Sequence, residues 1–207
     1  MFRIATTTIL TATIMFRAVP AQQIEAYDPL ANYAYATPFG EEAYAPSAAE
    51  PLPEHDHRLD TLGTARLWKE YRQARSRGTT LKDSGRYAES IYTLVIAARC
   101  AEKLERPDLA AWQLNNAAKH GIDAFKAITR YGETMAEIEA MKPGKAKVEA
   151  VSEVRQRFAE YLAELDRAEE YLLEAGLLNA DTSCPERTRV IASNLRFIAF
   201  IRSFIRG

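Results

Sequence analysis

A chain of 207 residues that is 47% hydrophobic and 27% charged can bury one sizeable core, and it reads as neither a collagen, a bundle of membrane spans nor a wholly disordered polymer. Its formal net charge of -1 conceals an asymmetry: residues 22–60 carry eight carboxylates against Arg58, a local charge of -7, and with Arg3 and Arg17 upstream this leaves about +4 for residues 61–207. That excess falls short of the basic stripe of a nucleic-acid-binding domain, so nucleic acid is not an expected partner.

Residues 1–21 carry Arg3, an apolar and threonine-rich run of 13 residues from Ile4 to Phe16, and then Val19-Pro20-Ala21, small residues where a signal peptidase would cut. The run is shorter than the roughly 20 residues that a membrane span needs, so it predicts a secretory leader and an exported protein, periplasmic or extracellular, whose mature form begins at Gln22. A buried N-terminal helix fits poorly with Arg17 and with Thr6, Thr7 and Thr8. Residues 22–60 then hold Pro29, Pro38, Pro46, Pro51 and Pro53 among alanines and tyrosines, with no sustained period, and read as a flexible acidic tail. Within it, Glu54-His55-Asp56-His57 carries metal-ligating side chains, but adjacent ligands on a flexible segment lack fixed geometry and a supporting shell, so neither a metal site nor a cofactor is expected.

The folded domain is expected over residues 61–207. It opens on a helix with Leu62, Ala65, Trp68 and Tyr71 on one face. Ala74, Gly78 and Leu81 continue that face, and the glycine lets a neighbouring helix approach closely. Asp83, Ser84 and Gly85 punctuate it. From Arg86 the helical period resumes through Tyr87, Ser90, Ile91, Leu94, Ala97 and Ala101 to Leu104, so that two helices joined by a tight turn form an antiparallel hairpin. After Leu104, Pro107 cannot continue a helix and Asp108 is placed to cap the next, which carries Leu109, Trp112, Leu114 and Ala117.

In order and spacing, Gly78, Leu81, Gly85, Tyr87, Ser90, Ile91, Leu94 and Ala97 resemble a tetratricopeptide repeat, and Leu114, Asn115 and Ala117 resemble the opening of a second. The resemblance implies an all-α stack of antiparallel helical hairpins, a superhelix in which each hairpin buries its face on its neighbours. Arg77 stands where the family usually has an apolar residue, and around His120 and Gly121 the turn residues are out of step by one. The far helix of the second hairpin then spans Ile122 to Met141. The resemblance also implies an inner face for a peptide, lined by Arg75, Thr79, Lys82, Trp112, Asn116 and Lys119. Three of these six are cationic, so the implied ligand is an acidic or C-terminal peptide segment, and the acidic tail could occupy the same face.

Lys142-Pro143-Gly144 is a strong stop. Beyond it Val151, Phe158, Leu165 and Leu172 recur every seven residues, each followed three later by Val154, Tyr161, Ala168 and Ala175, which predicts one helix of about thirty residues with a continuous apolar seam. Tyr161 and the paired alanines favour packing inside the domain over a free coiled coil. Ser183-Cys184-Pro185-Glu186 reads as a capping box, and the last helix is apolar over more than half its circumference, with Arg189, Ser193, Arg196 and Ser203 as its polar side, as suits a terminal cap. A faint echo at a separation of 78 pairs Ser90, Leu94, Ala97 and Asn116 with Ala168, Leu172, Ala175 and Asn194.

No P-loop, metal-spaced cysteines, GxSxG or HExxH occurs, and the chain does not read as an enzyme. Two cysteines in an exported chain predict a disulfide between Cys100 and Cys184. The expected function is an exported scaffold that binds a protein or peptide. The alternative is a helical envelope protein that docks on a membrane surface or larger assembly through its amphipathic C-terminal helix.

Overall fold

The computed structural model of the chain describes residues 57–180, 182 and 184–207. The expected leader over residues 1–21 and the expected tail as far as residue 56 lie outside the described residues. Among the described residues there are eight helices and no strand: α1 (His57–Asp60), α2 (Thr64–Asp83), α3 (Tyr87–Lys103), α4 (Pro107–Thr129), α5 (Tyr131–Ala140), α6 (Lys145–Ala159), α7 (Leu162–Ala180) and α8 (Pro185–Arg206). The protein is all-α. Residues 57–60, expected as tail, form α1, and Leu59 is buried with Leu67, Tyr71 and Ala74 of α2. Arg58 pairs with Glu70 at 3.0 Å and Asp60 with Lys103, so the ordered domain begins ahead of Thr61.

Two three-residue turns set the first part of the fold. α2 closes with Arg86 N–H donating to Leu81 O and Gly85 N–H to Lys82 O, both 2.9 Å, while Gly85 takes φ +76°. This pair of bonds uses up carbonyls that the helix end would otherwise leave bare, and the left-handed residue it needs is least costly as glycine. α3 closes in the same way, with Arg106 N–H on Ala101 O and Glu105 N–H on Glu102 O, but Glu105 occupies the left-handed position at φ +56°. Pro107 is the first residue of α4, where its missing donor costs nothing. Asp108 does not cap the helix by its side chain from the N-cap position, which belongs to Arg106; it sits in the first turn and holds the Arg106 guanidinium through two hydrogen bonds of 2.9 and 2.8 Å.

Each of α2, α3, α4, α7 and α8 packs on the next in that order, and α5 and α6 fold back onto α4 and α8. α4 is the central member, with its small residues Ala110, Ala111, Ala117, Ala118 and Ala124 fully buried between neighbours. It runs straight through His120 and Gly121 for 23 residues, so the turn expected there is absent, and the helix expected over Ile122–Met141 is divided at Arg130, which takes φ +49°. Gly121 serves a packing purpose: a Cβ there would lie 3.4 Å from the Cβ of Ala168 on α7. Gly78 does the same on α2, where a Cβ would come within 2.8 Å of the Leu94 side chain on α3.

The single thirty-residue helix is also not found. Its apolar seam is real, since Val154, Phe158, Leu165, Ala168, Leu172 and Ala175 are all buried, but Glu160 and Tyr161 break it into α6 and α7. The break lets the two parts serve different neighbours. α7 lies along α4 and α8, while α6 ends with Phe158 fully buried beside Phe125, Tyr131 and Phe204, at ring-centroid distances of 5.4, 6.0 and 5.8 Å. The seam packs inside the chain, as expected.

Two apolar clusters result, one centred on α4, α7 and α8 and one joining α1, α2 and α3, and Leu178 of α7 packs against both. Cys100 and Cys184 form no disulfide in this structure. Cys100 is fully buried in the cluster with Leu67 and Tyr71, whereas Cys184 opens α8, which packs on α7, α6 and α4. Ser183, the first residue of the expected capping box, lies outside the described residues, and Asn179 of α7 reaches the start of α8. Its amide donates to Cys184 O at 3.3 Å and to the Thr188 hydroxyl at 2.9 Å, and its Oδ1 accepts from Arg187 at 2.9 Å. No side chain caps α8 itself.

Candidate functional site

The six residues expected to line an inner face lie on two helices. Arg75, Thr79 and Lys82 follow one another at four and three residues along α2, and Trp112, Asn116 and Lys119 repeat that spacing along α4, so each set forms one stripe. Arg75 and Thr79 are exposed, and Lys82, Asn116 and Lys119 are half-buried. The Thr79 hydroxyl donates to the Arg75 carbonyl at 3.4 Å and therefore turns back on its own helix.

Buried polar contacts tie the two stripes together. Gln113 of α4 donates to the Tyr71 hydroxyl of α2 at 3.1 Å. Two turns further along, the Ser90 hydroxyl on α3 donates its only proton to Gly78 O at 2.6 Å, so at 2.7 Å it must accept from His120 Nδ1–H. This contact places a ring proton on Nδ1, and it is the low pKa of the group that keeps the ring neutral near pH 7. Burial pushes its pKa down to about 4; Lys82 and Lys119 push in the same direction, against Asp123 and Asp83. Because Ser90 bridges Gly78 O of α2 and His120 of α4, Lys82, one turn beyond Gly78, and Lys119, next to His120, both flank this junction. Burial also lowers Lys126 to about 8, with Lys119 adding to the shift and Asp123 opposing it. The Lys126 ammonium lies 4.2 Å from the centre of the Phe197 ring, a cation–π contact.

The face is mixed in charge. Lys119 is paired with Asp123, and burial, with Asp123 adding to it, raises the Tyr87 hydroxyl above its usual range. Trp112, 38% exposed, is engaged from α8, with the Arg187 guanidinium 5.8 Å from its ring centre. The close-approach glycines show how far the face extends. Gly78 and Gly121 meet α3 and α7 in the same way, and matching the helices through them sets Arg75, Thr79 and Lys82 against Ala118, Ile122 and Phe125. Those three are at most 1% exposed, with Phe125 against Phe158 of α6. The open surface is therefore the α2 stripe and the adjoining flank of α4, and it ends where α5, α6 and α8 cover the rest. His120, Asp123, Lys126 and Arg187 belong to it. A count of charged residues at helical spacing from Lys119 would have reached Asp123 and Lys126, while Arg187 comes from a distant helix that no local spacing indicates.

His120 spends Nδ1 on Ser90, a serine that is itself fully buried. Among the described residues no three His, Cys, Asp or Glu side chains gather as a metal site. Comparison of the chain with models of protein families, with curated proteins and with solved structures finds no match in any of the three.

Proposed function

We propose that the protein is an exported, non-catalytic scaffold of tetratricopeptide type that holds an acidic peptide or protein segment on the α2–α4 face. The observation that carries this reading is the Ser90 junction, which ties Gly78 of α2 to the half-buried His120 of α4, with Lys82 one turn beyond Gly78, Lys119 next to His120, and Arg75 two turns back from Lys82 on α2. A carboxylate arriving there meets ammonium and guanidinium donors on rigid helices, with Asn116 placed for a peptide backbone. The repeat reading is supported by the two close approaches, Gly78 on Leu94 and Gly121 on Ala168, which build α2/α3 and α4/α7 as similar packed pairs, with α5 and α6 inserted in the second. Export rests on the leader-like pattern of residues 1–21.

Docking of α8 on a membrane is the weaker reading, because Ile191, Ile198 and Ile201 are turned into the domain. The test is fluorescence anisotropy of a labelled glutamate-rich peptide with the protein and with its Arg75→Glu/Lys119→Glu variant, at low and moderate salt. Binding that weakens at least about tenfold in the variant and falls with salt is expected. Equal affinity for both proteins would sink the proposal.

A further inference from the structure

The outer side of the α7–α8 layer carries an unpartnered surface of a different chemistry. Leu173 and Leu177 on α7 are 56% and 76% exposed, and Phe200 on α8 is 49% exposed. These leucines lie on the side of α7 that faces α8, because Arg202 of α8 binds Glu169 at 2.6 Å and also Asp166, and Leu173 stands one turn beyond Glu169. The helices run antiparallel with Arg202 level with Asp166 and Glu169, so each step up α7 is a step back along α8. Leu173 is then level with Arg196 and Ala199, and Leu177 with Ala192. Ala192, Ala199 and Ser203 are exposed and small, and an open depression of about 400 Å³ at the end of α8 is lined by Ala199, Ser203 and Gly207 together with Arg202 and Arg206.

We propose that this face is the contact between two copies of the chain. The argument is self-complementarity. A two-fold axis lying along the α7–α8 seam would lay α7 of each copy over α8 of the other at the same height, as an isologous contact requires. Leu173 and Leu177 then drop onto the small positions Ala199 and Ala192, and Glu170, exposed one turn before Leu173, comes within a turn of Arg196 on the opposite copy. Acidic and apolar residues of α7 thus meet small and basic residues of α8, twice over. Two helices of 19 and 22 residues, about 30 Å long, offer a flat face of roughly 600 Å², the order of one side of an ordinary protein interface. A vesicle surface would pair with the arginines but leave Asp166 and Glu170 facing its anionic headgroups.

Sedimentation equilibrium on the full chain tests the contact, with Leu177→Glu, Glu170→Arg and the exchange Glu170→Arg/Arg196→Glu as variants and circular dichroism as the check on folding. The substituted side chains are exposed, so all variants are expected to fold. A mass of twice the 23.2 kDa chain is expected for the parent, weakened roughly 100-fold by Leu177→Glu and by Glu170→Arg, and restored by the exchange. A parent that stays monomeric at micromolar concentration overturns the proposal, as does a dimer indifferent to both single variants. Binding of a monomeric parent to phosphatidylglycerol vesicles that is lost on Leu177→Glu overturns it in favour of a membrane surface.

Discussion

The α2/α3 pair and the α4/α7 pair solve the same packing problem with very different connections. In both, a glycine lets the facing helix approach, Gly78 beneath Leu94 and Gly121 beneath Ala168, and in both the facing helix presents a serine or alanine, a leucine and an alanine at the same spacing: Ser90, Leu94 and Ala97, or Ala168, Leu172 and Ala175. The first pair is joined by Ser84–Gly85–Arg86, whereas the second is interrupted by α5 and α6. Contact chemistry, not chain connection, therefore specifies which helices pair. The echo at a separation of 78 is its trace in the sequence, and it extends to the helices that follow, since Pro107 and Pro185 open α4 and α8 at that same separation.

If the two seams are equivalent, removing their central leucines should cost similar amounts. Leu94→Ala and Leu172→Ala are each expected to lose about 2–5 kcal/mol in chemical unfolding, the range for a buried leucine whose site cannot collapse fully. A small loss at one and a large loss at the other would break the equivalence. The glycines sharpen it in the opposite sense. Gly78→Ala forces a methyl group to 2.8 Å from the buried Leu94 side chain and should cost about 2 kcal/mol even after the helix-propensity gain of alanine. Gly121→Ala, at 3.4 Å from Ala168, should be close to neutral, because that same propensity gain of about 1 kcal/mol offsets mild crowding. Thermal melts of the two variants side by side would show the difference.

One polar feature is present on the first seam alone, since Ser90 receives the His120 proton where α7 has Ala168. The folded pKa of His120 lies near 4, below the usual value of 6.5, so the unfolded chain takes up the proton more readily. That contribution is complete above pH 6.5 and declines as pH falls from 6.5 towards 4, by roughly 1–2 kcal/mol once its partial exposure is allowed for. Unfolding across this range with and without His120→Gln should show a smaller slope in the variant; identical slopes would remove His120 as the titrating group. The smallest effect concerns the turns. Glu105→Gly places glycine in the left-handed position that Gly85 already occupies after α2, and should stabilise by up to about 1 kcal/mol.

The sequence showed what depends on local spacing. The turn at Ser84–Gly85, the start at Pro107 and the buried seam from Val154 to Ala175 all follow from residue types a few positions apart. It hid what depends on neighbours. Gly121 reads as a turn signal, but its lack of a side chain serves a helix that returns more than forty residues later. The break at Glu160–Tyr161 carries neither glycine nor proline and arises because α6 and α7 answer to different partners. The cationic stripe of α2 was legible for the same local reason as the turns, whereas the burial of Ala118, Ile122 and Phe125 that bounds it was not, because the covering rings come from α6.

Leu178 packs against both apolar clusters, and this bears on how the protein loses its structure. A side chain shared by two clusters couples their opening, since neither can separate without stripping contacts from the other. The Arg99 guanidinium of α3, held by Glu174 of α7 as well as by Glu102, adds a second coupling on the same side of α7. Amide hydrogen exchange in α2 and α3 should therefore slow to the rate set by global unfolding, in one cooperative unit with α4 and α7. α6, whose buried side chains are Val154 and Phe158, should exchange sooner at its Lys145 end, as a subglobal event that leaves the rest of the molecule intact.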